Sequence, residues 1–65
     1  MKLFDVVRLV VDLPDENLFA GMIGTVIHIF TQPTTAYEIE FCDEDGVTVA
    51  QIALTPEQFE LIDWQ

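Results

Sequence analysis

The sequence predicts a small all-β domain in which five short strands close into a barrel, and three observations lead to this fold class. The 65 residues suffice for one domain at most, so we expect residues 1–65 to form a single unit. Apolar residues make up 51% of the chain, which excludes an intrinsically disordered acidic tail. Turn signals divide the chain into short segments rich in β-branched residues, and closing such strands into a barrel limits their exposed edges.

The first strand is expected over Leu3–Val11, where Val and Leu dominate. Residues 12–17 should follow as a loop, because Pro14 and the neighbouring Asp and Asn residues oppose ladder pairing. Leu18 and Phe19 are apolar residues inside this connection, and we expect them to anchor the loop to the core.

The second strand is expected over Met22–Phe30, and Gly24 inside it predicts a bulge or a sharp bend of the kind that small barrels need at corners. After a loop, the third strand, Ala36–Cys42, shows the clearest alternation in the chain and places Glu38 and Glu40 on a wet face. Its buried face carries Tyr37, Ile39 and Phe41.

The pair Asp45 and Gly46 predicts a tight hairpin with Gly46 in a left-handed conformation, and Val47–Leu54 is the partner strand. One face of that strand should carry Val47, Val49 and Gln51 and the other should carry Thr48, Ala50 and Ile52. Residues Thr55–Gln58 predict a helical turn, because Thr can cap, Pro suits the first helical position and Gln completes a capping box. A short final strand then returns to the core over Phe59–Ile62. One short 3-10 or α-helical turn before the last strand is typical of five-stranded SH3-like barrels, which completes the predicted fold class.

Two stretches carry a family resemblance: Phe4-Asp5-Val6-Val7 with Leu18, Ala20-Gly21 and Gly24-Thr25-Val26, and Tyr37-Glu38-Ile39-Glu40-Phe41 with Asp43, Gly46 and Leu54-Thr55. Together they resemble a family of small bacterial proteins, domain of unknown function 4926, over nearly the whole chain. The Gly-x-x-Gly-Thr-Val segment also recurs in SH3-like domains such as translation-associated modules and nitrile hydratase subunits, so the resemblance implies the fold. It also implies an antitoxin-like or immunity-like role, because some family members are encoded beside candidate toxin proteins. The family supplies no established functional residues that could be carried over.

The charge of the chain limits the kinds of partner that it can bind. With 2 basic and 12 acidic residues, the net charge is −10. Affinity for nucleic acid comes mainly from Lys and Arg, and only Lys2 and Arg8 are present, so we expect no DNA binding. RNA binding needs basic residues interleaved with aromatic ones and is disfavoured for the same reason. The aromatic residues of the chain are Phe4, Phe19, Phe30, Tyr37, Phe41, Phe59 and Trp64. We expect most of them to lie in the core.

The chain has few residues that could act in catalysis or bind a metal ion. The chain has no serine, and Cys42 and His28 are its sole conventional nucleophile and base, expected on one face with no third group to orient them. The acidic segment Asp43–Gly46 is too short for a calcium loop, and one Cys with one His cannot complete a structural zinc site. We therefore expect no enzymatic activity, no cofactor and no bound metal. The lone cysteine and the lack of a signal peptide or membrane segment predict a cytoplasmic location without membrane contact.

The first two predicted strands are apolar on both faces, which is more than a small barrel needs. The extra cover is the loop that contains Leu18 and Phe19, a second copy of the chain, or a partner protein. An apolar patch rimmed by acidic residues would be a binding site for another protein. The candidate partner-binding residues are Glu38, Glu40, Asp43, Leu18 and Phe19.

The sequence thus favours a non-enzymatic acidic protein-binding module that recognises a basic partner, with neutralisation of a basic toxin as its first specific form. Two alternatives stay open. An RNA- or ribosome-associated barrel would require Lys2 and Arg8 to form a patch near exposed aromatic residues. A structural accessory subunit of an enzyme complex would require an obligate, largely apolar interface. Self-association into a homo-oligomer also stays open.

Overall fold

The computed structural model describes residues 1–62 and contains five β-strands in one sheet. The strands are β1 (Val6–Leu9), β2 (Ile23–Phe30), β3 (Ala36–Cys42), β4 (Thr48–Leu54) and β5 (Phe59–Leu61). Their order across the sheet is β4-β3-β2-β1-β5, and every neighbouring pair is antiparallel. The helical elements in this part of the chain are two 3-10 turns, Pro14–Glu16 and Pro56–Gln58. The prediction of an all-β fold with five strands and a short helical turn before the last strand is therefore confirmed.

The contact between Tyr37 and Phe59 shows that the sheet curls. Their rings meet edge to face with centroids 5.6 Å apart. Tyr37 lies on β3 and Phe59 on β5, three strand spacings away in the sheet order. In a flat sheet, spacings of about 4.8 Å would hold these strands about 14 Å apart. The sheet therefore bends around a shared core, which is consistent with the predicted small barrel.

The inner face of the sheet forms one apolar core. Its buried members are Val7, Leu9, Leu18, Val26, Ile39, Phe41, Leu54 and Phe59. The predicted register of β3 is confirmed, because Ile39 and Phe41 have no exposed area and Tyr37 packs against the same core. Glu38 and Glu40 consequently point to the other face of the strand.

A bulge in β2 shifts its pairing with β3. Val26 lies opposite Ile39. The next pair is His28 opposite Glu38, so Ile27 is an extra residue of β2. A bulge therefore does occur in the second strand, as small barrels require, and it brings the His28 side chain onto the same face as Glu38.

Gly24 is not the site of that bulge, because it pairs in regular register with Val7 and Phe41, so of the predicted bulge or sharp bend the bulge does not occur here. The glycine instead permits close packing between β2 and β3. A β-carbon at Gly24 would lie 2.5 Å from Cγ2 of Ile39 and 3.0 Å from the backbone carbonyl oxygen of Glu40. Because real side chains do not tolerate such approaches, any larger residue here would push the two strands apart.

A second bulge occurs in β4. Ala50 pairs with Phe41 and Thr48 pairs with Cys42, so Val49 is the extra residue. The strict alternation predicted for this strand therefore fails at its first residue. Thr48 faces away from the core, on the side opposite to Ala50, which packs against the core.

The connection between β1 and β2 folds as a small hairpin of its own. Leu13 and Leu18 exchange two backbone hydrogen bonds, of 2.8 and 3.1 Å, around the turn at Pro14–Glu16. Asn17 closes this turn in a left-handed conformation, with φ of 59°. Leu18 is fully buried and anchors the loop as predicted, whereas the side chain of Phe19 remains 47% exposed.

The two predicted turns after β3 are confirmed. Gly46 has a φ of 80° in the hairpin between β3 and β4. Before β5, Oε1 of Gln58 accepts hydrogen bonds from the backbone N–H of Thr55 at 2.9 Å and from its hydroxyl at 3.1 Å. Pro56 occupies the start of that 3-10 turn. The helical elements of residues 1–62 are three-residue turns, so none of them could span a bilayer.

Candidate interaction surface

The outer face of β2, β3 and β4 brings Glu38 and Glu40 together with polar neighbours. Directly opposite residues of antiparallel strands share one face of the sheet. His28 and Ala53 lie on either side of Glu38. Thr25 and Gln51 lie on either side of Glu40. We call this surface the outer acidic face; its members are Thr25, His28, Glu38, Glu40, Thr48, Gln51 and Ala53.

Two cross-strand hydrogen bonds hold the carboxylates in place. Nε2 of Gln51 donates to Oε2 of Glu38 at 3.3 Å, and the Thr48 hydroxyl donates to Oε2 of Glu40 at 3.1 Å. Both donors are neutral, and neither carboxylate forms an ion pair within residues 1–62. Because the two glutamates are two residues apart on one strand, their Cα atoms are about 7 Å apart. The surface therefore presents two spaced negative charges that the described part of the chain does not neutralise.

Asp43 has a structural role that the sequence prediction did not include. Its Oδ1 atom accepts hydrogen bonds from the backbone N–H groups of Asp45, at 2.9 Å, and of Val47, at 3.0 Å. The side chain therefore closes the β3–β4 hairpin. It lies one residue beyond the end of β3, so it borders the outer acidic face at the hairpin tip.

The two loop residues predicted to bind a partner behave differently from each other. Leu18 has no exposed area, so it cannot contact a partner, and its assignment to the binding surface is wrong. Its burial follows from the hairpin of the β1–β2 connection, which turns it into the core. Phe19 is 47% exposed and remains available, but on this separate loop.

Several aromatic side chains are exposed, contrary to the prediction that most of them fill the core. Phe4, Phe19 and Phe30 all have substantial exposed area, whereas Phe41 and Phe59 are buried. Phe30 packs edge-on against His28, with ring centroids 4.6 Å apart, beside the outer acidic face. An exposed apolar ring thus borders the carboxylates. Trp64 lies outside the described residues.

A groove near the N-terminus was not predicted from the sequence. Phe4 adopts a positive φ of 70°, its backbone N–H donates to the carbonyl of Val26 at 2.7 Å, and its side chain is 72% exposed. Beside it lies a cavity of about 430 Å³, lined by Met1, Lys2, Phe4, Asp5, Val6, Leu61 and Ile62. No sequence signal marks this site, because a non-glycine residue with positive φ is imposed by its tertiary contacts.

One of the two basic side chains is already paired. Nη1 of Arg8 lies 2.9 Å from Oε2 of Glu60, which sits directly opposite on β5. Both side chains are about half exposed. The patch of Lys2 and Arg8 that the RNA hypothesis requires therefore has one of its cations engaged by a carboxylate.

His28 and Cys42 do not form a catalytic pair. His28 lies opposite Glu38, and Cys42 is four residues further along β3. This places the two side chains about 13 Å apart along the sheet, which is too far for a nucleophile and its base. Within residues 1–62, no three His, Cys, Asp or Glu side chains are grouped so that they could hold a metal ion.

Comparison with known proteins places the chain in a family. Neither the curated proteins nor the solved structures contain a significant match to it. The model of a family described as Domain of unknown function (DUF4926) matches residues 3–61, which include all five strands. The resemblance carried by the two sequence stretches is thereby confirmed. The chain belongs to the family Domain of unknown function (DUF4926).

Proposed function

We propose that this domain is a non-enzymatic, acidic protein-binding module that recognises a basic surface of another protein. One observation carries the proposal. Glu38 and Glu40 are held side by side on the outer acidic face by neutral donors, Gln51 and Thr48, and neither is paired with a cation in residues 1–62. Such a pair of oriented carboxylates is suited to accept Lys or Arg side chains from a partner.

The net charge and the exposed apolar residues would act at different stages of binding. A net charge of −10 on a chain of this size attracts positive surfaces over a range that salt limits to about 8 Å at physiological ionic strength. Charge of this kind mainly accelerates association. The exposed Phe30 ring beside the outer acidic face would then help to hold the complex by excluding water.

The specific form of this function that the family resemblance suggests is antitoxin-like or immunity-like. In that role the module would neutralise a basic toxin by covering its positive surface, and it would act in the cytoplasm. The exposed single cysteine, Cys42, is compatible with a reducing compartment. The separation between His28 and Cys42 supports a role without catalysis.

A structural accessory subunit of an enzyme complex is a second candidate, and the groove beside Phe4 favours it. Phe4 and Leu61 are 72% and 51% exposed on the lining of this groove. A permanent apolar interface at this groove would bury both side chains. Such an interface would form at a rate that depends little on salt, whereas association through the outer acidic face should slow as salt rises.

Affinity capture with matched variants tests the proposal. The immobilised wild-type chain, the Glu38→Gln/Glu40→Gln variant and the Asp15→Asn/Glu16→Gln variant would be exposed to native lysate. The last variant removes the same charge from an exposed turn outside the outer acidic face. We expect the wild type and the control variant to retain basic proteins from the lysate. The Glu38/Glu40 variant should not retain them. Equal retention by all three baits would contradict the proposed surface.

A further inference from the structure

The outer edge of β4 pairs with no strand in residues 1–62. β4 lies at one end of the sheet and pairs with β3 alone among the strands in residues 1–62. Its side chains are largely accessible: Thr48, Val49, Gln51 and Ala53 are exposed. An edge strand presents a row of unpaired backbone N–H and C=O groups, which can form hydrogen bonds with a further strand.

The sequence of this edge lacks most of the usual protection against pairing. Natural edge strands are commonly blocked by lysine, proline, inward-pointing charges or β-bulges. From Val47 to Leu54 there is no charged residue, no proline and no glycine, although the chain as a whole is strongly charged. The bulge at Val49 is the one protective feature of this strand, and residues 50–54 beyond it pair with β3 in regular register. By contrast β5, at the other end of the sheet, has only three residues and carries Glu60.

We propose that the edge of β4 accepts an extended segment of a partner protein as an additional antiparallel or parallel strand, with Lys or Arg at alternate positions. This inference rests on the proposed function, since it states how the basic partner would bind. Main-chain hydrogen bonds to β4 would supply affinity, and the alternate basic side chains would supply specificity.

Charge complementarity indicates where the basic side chains of the added strand would lie. An added strand would lie about 10 Å from β3, because neighbouring strands are about 4.8 Å apart. Ala53 lies opposite Glu38 on β4, and its short side chain leaves that carboxylate open from the edge. A lysine on the added strand has a stem long and flexible enough to pass over Ala53 and reach the carboxylate of Glu38. Side chains on one face of a strand repeat every second residue, which matches the spacing of Glu38 and Glu40.

A second copy of this chain fits the edge poorly. Antiparallel pairing of two β4 strands would bring the acidic hairpin tip of one copy, Asp43–Asp45, near the end of β4 in the other copy, where Glu57 follows. Each copy also carries a net charge of −10, which opposes their approach. A basic segment meets neither obstacle.

The test uses a synthetic peptide of about ten residues in which Lys alternates with Thr, titrated into the full chain and followed by amide NMR. An acidic peptide in which Glu replaces Lys is the first control. Two further versions carry N-methyl groups on the backbone of every Lys or of every Thr. Backbone N–H groups of successive residues point to opposite edges of a strand, so only one N-methyl set can disrupt pairing with β4.

We expect the basic peptide to shift the amide signals of residues 48–54 and to protect their outward amides from exchange. One N-methylated peptide should bind more weakly by about tenfold or more, and the other should bind almost unchanged. Ala53→Lys should weaken binding and Ala53→Glu should strengthen it. Equal effects of both N-methyl sets, equal binding of the acidic peptide, no binding of any peptide, or a dimer of the free chain with protected β4 amides would each overturn strand addition. Dependence of captured proteins on Glu38 and Glu40 would still support the proposed function in those cases.

Discussion

The Thr48 hydroxyl donates a hydrogen bond of 3.1 Å to the carboxylate of Glu40 across the β3–β4 pair. This contact depends on the bulge at Val49, because strict alternation from Ala50 would turn Thr48 toward the core. An irregularity in the edge strand thus orients one of the two carboxylates that we assign to partner binding. The backbone geometry of β4 therefore influences how the Glu40 carboxylate is oriented on this surface.

Phe41→Ala should lower the free energy of unfolding by about 3–5 kcal/mol, because it removes a large, fully buried side chain from the core. Phe19→Ala is the matched control, since Phe19 is 47% exposed, and it should cost less than about 1 kcal/mol. Urea denaturation of both variants measures the difference. Similar midpoints for the two would contradict the register of β3.

Gly24→Ala should destabilise the domain, since its new methyl group would meet Cγ2 of Ile39 and the backbone of Glu40. Overpacking of this kind costs about 1–3 kcal/mol. Combining it with Ile39→Ala removes the shortest of the three close contacts, the third being with the ring of Phe41, so the double variant should be more stable than the sum of the single effects predicts. Simple additivity in chemical denaturation would argue against this close approach.

Gly46→Val should cost more stability than Thr48→Val on the same hairpin. A valine at a φ of 80° is strained by about 1–2 kcal/mol, although nothing lies within 4 Å of the new β-carbon. Thr48→Val loses only one exposed hydrogen bond and gains strand propensity. Gly46→Asn serves as a control, because asparagine tolerates left-handed backbone and should recover part of the loss. Equal midpoints for the two valine variants would exclude the turn geometry.

The regular elements of this fold follow closely from local sequence. The alternation around Ile39 and Phe41 fixes which side of β3 is buried, and Asp45 with Gly46 determines the following hairpin. Thr55 and Gln58 likewise determine the turn before β5. In each case, the deciding interactions lie within a few residues of one another, so the pattern is visible without the tertiary structure.

The bulges and the exposed aromatic residues could not be predicted in this way. The extra residues at Ile27 and Val49 arise from how β2, β3 and β4 fit together across the curled sheet. The outward position of Phe4 depends on its backbone hydrogen bond to Val26. Glu38 and Glu40 were correctly placed on one face because a period of two residues suffices for that, whereas the spacing of Leu18 and Phe19 does not show that one is buried and the other exposed.

The ion pair between Arg8 and Glu60 should contribute little to stability. Both side chains are about half exposed, and exposed pairs contribute about 0.2–1 kcal/mol. A double-mutant cycle with Arg8→Gln and Glu60→Gln, measured by thermal or chemical unfolding, should give a coupling in this range that shrinks as salt is added. A larger coupling that persists in high salt would require a more enclosed pair than the structure shows.

The association rate with the captured partner, measured by surface plasmon resonance from low to high salt, tests the central claim most directly. We expect the rate to fall as salt rises, while dissociation changes less. Glu38→Gln/Glu40→Gln should lower the rate more than Asp15→Asn/Glu16→Gln does, although both remove the same charge. Asp43 is left intact in this comparison because it closes the hairpin. An association rate that is flat across the salt range, or equal losses in the two variants, would contradict recognition through the outer acidic face.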